Sequence, residues 1–137
     1  LDYGLKRVGV AVSDPEGIMA YPRCTLKREV RKTFFAELLA LIEKECPDAI
    51  VLGYPLHTDG SECLTTTQVR NFAASLRRRV TLPIYYMNEV LSSADAESRL
   101  AEAGLKGRAI REVVDQEAAV LILESFLSQP ESLRIEA

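Results

Sequence analysis

Long hydrophobic runs are missing from this 137-residue chain. No apolar stretch approaches the ~18 residues that a membrane span requires. The start also lacks the charged-then-apolar signature of a secretory leader. These absences set the expectation of a cytoplasmic protein with no membrane contact. Histidine and cysteine are scarce: one histidine, His57, and three scattered cysteines, Cys24, Cys46 and Cys63. That is neither a zinc pattern nor an even-numbered disulfide framework. The thiols are expected to be reduced, and any metal is expected to be a hard cation held by carboxylates. Positive charge is short too, with a formal net charge of −3, the wrong sign for nucleic-acid binding by overall charge. The basic residues nevertheless cluster, at Lys6-Arg7, at Lys27-Arg28 with Arg31-Lys32, at Arg77-Arg78-Arg79, and at Lys106, Arg108 and Arg111. Such clusters keep nucleic acid open as a partner, although solvated helix faces would look the same.

What is present is enough for one core. The length fits a single domain over 1–137, and a hydrophobic content of 47% is ordinary for a globular protein. Leu1-Asp2 has the character of a strand end, because Tyr3-Gly4 already signals a turn. The start of that strand is therefore expected upstream of the chain. Val8–Val12 is an apolar, β-branched run closed by Ser13-Asp14-Pro15, and 18–26 is a further short strand interrupted by Pro22. Phe34, Phe35, Leu38, Leu39, Leu41 and Ile42 recur at helical spacing until Pro47. Ala49–Leu52 is a continuous apolar run, as in a strand buried on both faces. Val69, Phe72, Ala73 and Leu76 predict a second helix, and Pro83–Met87 a fifth strand. Ser92 with Asp95 resembles a capping box opening a helix that ends near Gly104. Asp115 is expected to open a last, buried helix carrying Ala118, Ala119, Ile122 and Phe126, with 128–137 as a tail. Three hairpin strands followed by alternating βα units predict an α/β fold with a mixed sheet flanked by helices.

Three acidic residues lie at the ends of apolar elements: Asp2 at a glycine turn, Glu89 just past the fifth strand and Asp115 at the predicted start of the buried helix. Strand ends and helix starts converge on one rim of such a sheet. Carboxylates gathered there repel one another unless a cation joins them, and Mg²⁺ suits a few carboxylates plus water and phosphate. Each residue has a plainer use. Asp115 could be an N-cap, Glu89 a solvated loop residue and Asp2 a turn former.

The segment Asp2-Tyr-Gly-Leu-Lys-Arg-Val-Gly-Val-Ala-Val-Ser-Asp14 resembles the opening signature of the Holliday junction resolvase family of the YqgF or RuvX type, also described as pre-16S ribosomal RNA nucleases. Gly53-Tyr-Pro-Leu-His-Thr-Asp-Gly-Ser-Glu62 resembles the second block. Asn88-Glu-Val-Leu-Ser-Ser93 with Ala96-Glu97 resembles the third, and Asp115-Gln-Glu-Ala-Ala119 with Ile122-Leu123 the fourth. The four blocks stand in family order across nearly the whole chain. The resemblance implies an RNase H-like fold with a five-stranded mixed sheet, three antiparallel strands followed by parallel ones. It implies Asp2, Glu89 and Asp115 as catalytic and metal-binding acids, with Mg²⁺ or Mn²⁺ as cofactor. Lys6, Arg7 and Asp59 would bind substrate. The implied activity is phosphodiester hydrolysis in structured nucleic acid, either pre-16S rRNA at its 5′ end or branched DNA. Oligomeric state, monomer or homodimer, stays open.

The chain also departs from the family. Asn88-Glu89-Val90 stands where the family has Asp-Glu-Arg, and His57 stands where it has Asn. A lone loop histidine is more often surface decoration than a catalyst, and Asp59-Gly60 is a turn before it is a contact. The departures at Asn88 and Val90 keep open an alternative, a catalytically weakened nucleic-acid-binding module of the same fold. An actin-like ATPase also opens with an Asp-x-Gly hairpin, but it needs two such domains and a second phosphate loop, for which 137 residues are too few.

Overall fold

The computed structural model describes residues 1–56, 62, 64–88 and 108–137, with the backbone alone for 108–113. β1 (Asp2–Tyr3), β2 (Arg7–Ser13) and β3 (Ala20–Lys27) form an antiparallel sheet in the order β1-β2-β3. β4 (Ile50–Tyr54) pairs in parallel with β5 (Ile84–Asn88), and β5 pairs antiparallel with β6 (Ile135–Glu136). Leu1 connects the two sheets. Its nitrogen donates to the Val51 carbonyl at 2.6 Å, and its carbonyl accepts from Gly53 N at 3.0 Å. One residue bracketed by two positions of its neighbour is the bonding pattern of parallel strands. The helices are α1 (Arg31–Glu45), α2 (Leu64–Arg77) and α3 (Arg108–Ser128). The expected helix from Ser92 to Gly104 lies outside the described residues.

Strand alternation sorts the core into two layers. Val8, Ile50, Leu52 and Ile84 pack with Phe34, Phe35 and Leu38 of α1 and with Val69, Phe72, Ala73 and Leu76 of α2. Tyr3 joins this layer by stacking on Phe72, ring centroids 4.3 Å apart. On the other face Val51 packs with Ile122 and Phe126 of α3, and Tyr85, Met87 and Leu123 pack against them. Helices therefore cover both faces of the strands, as the hydrophobic patterns predict.

Three expectations need correction. Asp115 does not open the last helix, because α3 already begins at Arg108. The stretch Arg-Ala-Ile-Arg-Glu-Val-Val contains no helix breaker, so the helix starts earlier. Asp115 sits about two turns inside it and is not its N-cap. Residues 128–137 are more than a tail: a 3-10 turn over Glu131–Leu133 leads into β6, which sits on the free edge of β5. The described strands number six in two sheets of three, against the five expected, and β6 is the additional one. Pro22 does interrupt its strand pairing without ending it. Val10 faces Cys24 and Ala11 faces Pro22, so Arg23 is the extra residue of a bulge, where a proline's missing N–H is tolerated. α1 ends at Glu45 and is capped just before Pro47 by Cys46, in a left-handed conformation (φ 48°), whose N–H returns to the Ile42 carbonyl. Cys24 and Cys46 are free thiols, and burial pushes the Cys24 thiol up. Cys63 lies outside the described residues.

Candidate active site

The site is built around a residue without a side chain. Gly9 lies in the middle of β2, directly opposite Asp2 of β1. A Cβ on Gly9 would stand 1.8 Å from the Asp115 carbonyl oxygen and 2.9 Å from Asp115 Cβ. The backbone of α3 therefore rests directly on β2 at this point, and only glycine leaves it room. Directly opposed residues of an antiparallel pair project to the same face, so Asp2 projects to the α3 face beside Asp115. Asp2 is 8% exposed, close to full burial for a carboxylate. A buried acid on a helix-covered face is costly unless it is engaged, and Asp2 is not without a partner.

Local sequence explains why α3 approaches so closely. Ala118 and Ala119 lie three and four residues after Asp115, and Ile122 and Phe126 continue at such steps, which places them on one stripe of a helix. Ala118 and Ala119 are fully buried, and their small side chains allow backbone-to-sheet contact. Gln116 ties the same turn to β3, with Nε2 donating to Thr25 Oγ1 at 3.1 Å.

Arg7 completes the group. Its Nε donates to Asp115 Oδ2 at 2.7 Å, with side-chain exposures of 41% and 17%. Arg7 and Gly9 lie two residues apart on one strand and so share a face. A guanidinium carries five N–H donors, of which this bond uses one. Lys6 precedes Arg7 in the exposed turn between β1 and β2. That turn is closed by Gly4 N to the Arg7 carbonyl at 2.9 Å and held from outside by Arg28 Nη1 on the carbonyls of Gly4 and Leu5.

The structure thus brings Asp2, Arg7 and Asp115 to one face, with Lys6 at the adjoining turn. Asn88 ends β5 exposed and level with Tyr54. Glu89, Asp59 and His57 lie outside the described residues. Among the described residues no group of three or more His, Cys, Asp or Glu side chains gathers as a metal site. A groove of about 540 Å³ between the β2–β3 turn and the end of α3 is lined by Ile18, Met19 and Leu127 among others and includes neither Asp2 nor Asp115. Among the described residues no helix is long and apolar enough to cross a membrane.

Gly9 is the member of this constellation that the sequence alone does not single out as functional. The available signal was a glycine inside a β-branched run, which often marks close approach of another backbone.

The fold is that of an α/β protein, with one aspartate on the sheet-facing stripe of α3 and a second on β1, on the same face of the sheet. A family profile described as RuvX, Holliday junction resolvase, matches residues 1–129. Among similar proteins, one from Nitratidesulfovibrio vulgaris (strain DP4) is 56% identical over 98% of this chain and 94% of its own length. Another, from strain DSM 19637 / Miyazaki F, is 58% identical over 100% of this chain and 96% of its own. A third, from Lawsonia intracellularis, is 46% identical over 99% and 96%. All three carry the name "Putative pre-16S rRNA nuclease". The chain belongs to the RuvX family of Holliday junction resolvases.

Proposed function

We propose that this chain is a metal-dependent nuclease hydrolysing phosphodiester bonds in structured nucleic acid, in 5′-end processing of pre-16S rRNA, in Holliday junction resolution, or in both. The carrying observation is the apposition of Asp2 and Asp115 across Gly9, with Arg7 bound to Asp115. Family membership and the relatives' names support the same reaction class. The fold belonging to this reading is RNase H-like, with β1 and β4 joined through Leu1 into one mixed sheet, and the setting is cytoplasmic.

The residues fit Mg²⁺. Two elements present a carboxylate each to the same face of the sheet, and Mg²⁺ is commonly held by one or two carboxylates together with substrate phosphate. Asp2 and Asp115 would hold it, with Glu89 as the third acid; Mn²⁺ suits the same oxygens. When bound, the ion supplies an activated water and charge neutralisation for phosphoryl transfer. The chain's own groups do the rest. Arg7 fixes the Asp115 carboxylate through Nε, leaving its other N–H groups for a phosphate oxygen in the planar geometry that a guanidinium offers. Burial of Asp2 keeps bulk water from competing at that carboxylate. Lys6, in the exposed turn, and Asp59 complete substrate binding.

The test is cleavage of a pre-16S rRNA fragment and of a four-way DNA junction with Mg²⁺ or Mn²⁺ supplied. Metal-dependent cleavage of either supports the reading. A specific observation also favours a second reading, a binding module with weakened catalysis: β5 ends in the neutral amide of Asn88. Binding of both substrates with cleavage of neither at any metal concentration would establish that second reading.

A further inference from the structure

The arginines where α1 meets α2 take no part in the acidic site, and they gather together. The Oγ of Ser75, in α2, accepts from Arg31 Nη2 and from Arg78 Nη2, each at 3.2 Å. The Ser75 carbonyl accepts from Arg79 Nη1 at 2.7 Å. The guanidiniums of Arg31 and Arg79 also lie over the Phe35 ring, 5.3 and 4.1 Å from its centroid. Cations from two separate segments thus surround one buried serine and one buried ring. All three arginines are exposed. Among the described residues the ion pairs are Arg7–Asp115, Arg23–Glu45, Arg70–Glu62 and Arg134–Glu131, so none of the three has a carboxylate partner there.

Helix electrostatics explains only part of this. Arg78 and Arg79 follow the last residue of α2, where the macrodipole favours cations. Arg31 is the opposite case. It is the first residue of α1, where the dipole disfavours a cation, and that first turn contains no acidic residue. Sharing Ser75 with Arg78 adds like-charge repulsion. An anion placed among the three relieves both penalties, and guanidinium forks match phosphate oxygens two at a time.

The basic surface continues toward the acidic site. Arg28 Cζ lies 4.1 Å from the Tyr3 ring centroid, Tyr3 stacks on Phe72, and Phe72 meets Phe35 with centroids 6.0 Å apart. Arg28 N donates to the Lys6 carbonyl. A chain of ring contacts therefore links Arg28, which holds the turn of Lys6 and Arg7, to the Phe35 ring beneath the arginine cluster.

We propose that Arg31, Arg78 and Arg79 form a second phosphate-binding site, on the opposite face of the strands from α3, that grips the sugar–phosphate backbone of the substrate beyond the point of cleavage. This rests on nucleic acid being the substrate. The experiment is equilibrium binding of the full chain to a fluorescent RNA hairpin and a DNA four-way junction over a salt series, with no divalent metal added. It compares wild type, the triple variant Arg31→Gln/Arg78→Gln/Arg79→Gln, single Arg78→Gln, and Lys44→Gln near the other end of α1. Each phosphate contact contributes roughly 0.7–0.9 to the slope of log affinity against log salt. The triple variant is expected to lose about 2 from that slope and to bind about tenfold or more weakly at low salt. Arg78→Gln, which gives up one exposed side chain, loses about 1 and guards against misfolding of the triple variant. Lys44→Gln is expected to match wild type. Wild-type slopes in the triple and single variants overturn the second site and leave the nuclease assignment standing, as does an equal loss in Lys44→Gln. If the wild-type chain binds neither nucleic acid, both conclusions fall.

Discussion

At the scale of single residues, the site depends on Gly9 as much as on the carboxylates. Gly9→Ala must push α3 away from β2, because the new methyl group meets backbone and not a flexible side-chain end. Overpacking of this kind costs about 1–3 kcal/mol, and here it also shifts Asp115 relative to Asp2. Urea denaturation should show that loss, and cleavage should fall further than the loss of folded protein explains. Arg7→Lys should not restore the wild type, since an ammonium cannot hold Asp115 and a phosphate in one plane. Asn88 marks the family departure. Asn88→Asp is expected to tighten Mg²⁺ binding and raise cleavage, because affinity follows ligand charge. It should leave the fold intact, as Asn88 is an exposed strand end. A Mg²⁺ titration of cleavage checks this, and identical curves for both forms would remove Asn88 from the metal site. Asp2 and Asp115 drew attention in the sequence as acids beside apolar runs, although Asp115 lies inside α3 and not at its start. Gly9 did not, since a lone glycine does not say which backbone approaches it.

At the scale of elements, the β2–β3 turn is organised by Asp14. Its Oδ1 accepts from Ile18 N at 2.7 Å and Met19 N at 3.0 Å. The bond from Met19 is the main cause holding its carboxyl below the ordinary value of 3.8, with Ile18 adding to it. The sign follows from linkage: a lowered folded-state pKa gives a contribution that is complete above the unfolded value and lost as pH falls through the folded one. Amide exchange at Ile18 and Met19 should therefore accelerate as pH drops below about 3.8 relative to the rest of β2 and β3, and Asp14→Asn should abolish that pH dependence. β6 makes a second prediction. It caps the edge of β5, and Ala137 N donates to the Ile84 carbonyl at 2.7 Å. Ending the chain at Ser128 should destabilise the fold by about 1–3 kcal/mol for the lost bonds and packing. The bared edge should also promote association, measurable by light scattering. Periodicity located α1, α2, β4 and β5 closely, because their apolar spacing is dense. It misplaced the start of α3, where Asp115 imitates a cap, and it missed β6, whose two residues are too short to show alternation.

At the scale of the whole molecule, the strands form a partition. On one face α1 and α2 pack around Phe72 and Phe35, and on the other α3 carries Asp115 onto Gly9. The proposed chemistry lies on the α3 face, and the proposed second phosphate site lies on the other. The pattern of hydrophobic runs made this layering legible, since only a sheet covered on both sides needs a run like Ala49–Leu52. The pairing of Arg7 with Asp115 was not legible, because it joins residues 108 positions apart by a helix approach that spacing does not encode. The central claim is that Asp2 and Asp115 act together on a phosphodiester. The most direct measurement is single-turnover cleavage of a pre-16S rRNA fragment and a four-way DNA junction in Mg²⁺ by wild type and by Asp115→Asn, with binding followed in parallel. The account predicts that the variant still binds while its cleavage falls by more than the ~10–100-fold typical of changes to residues that merely support metal ligands. Unchanged cleavage by Asp115→Asn would contradict it.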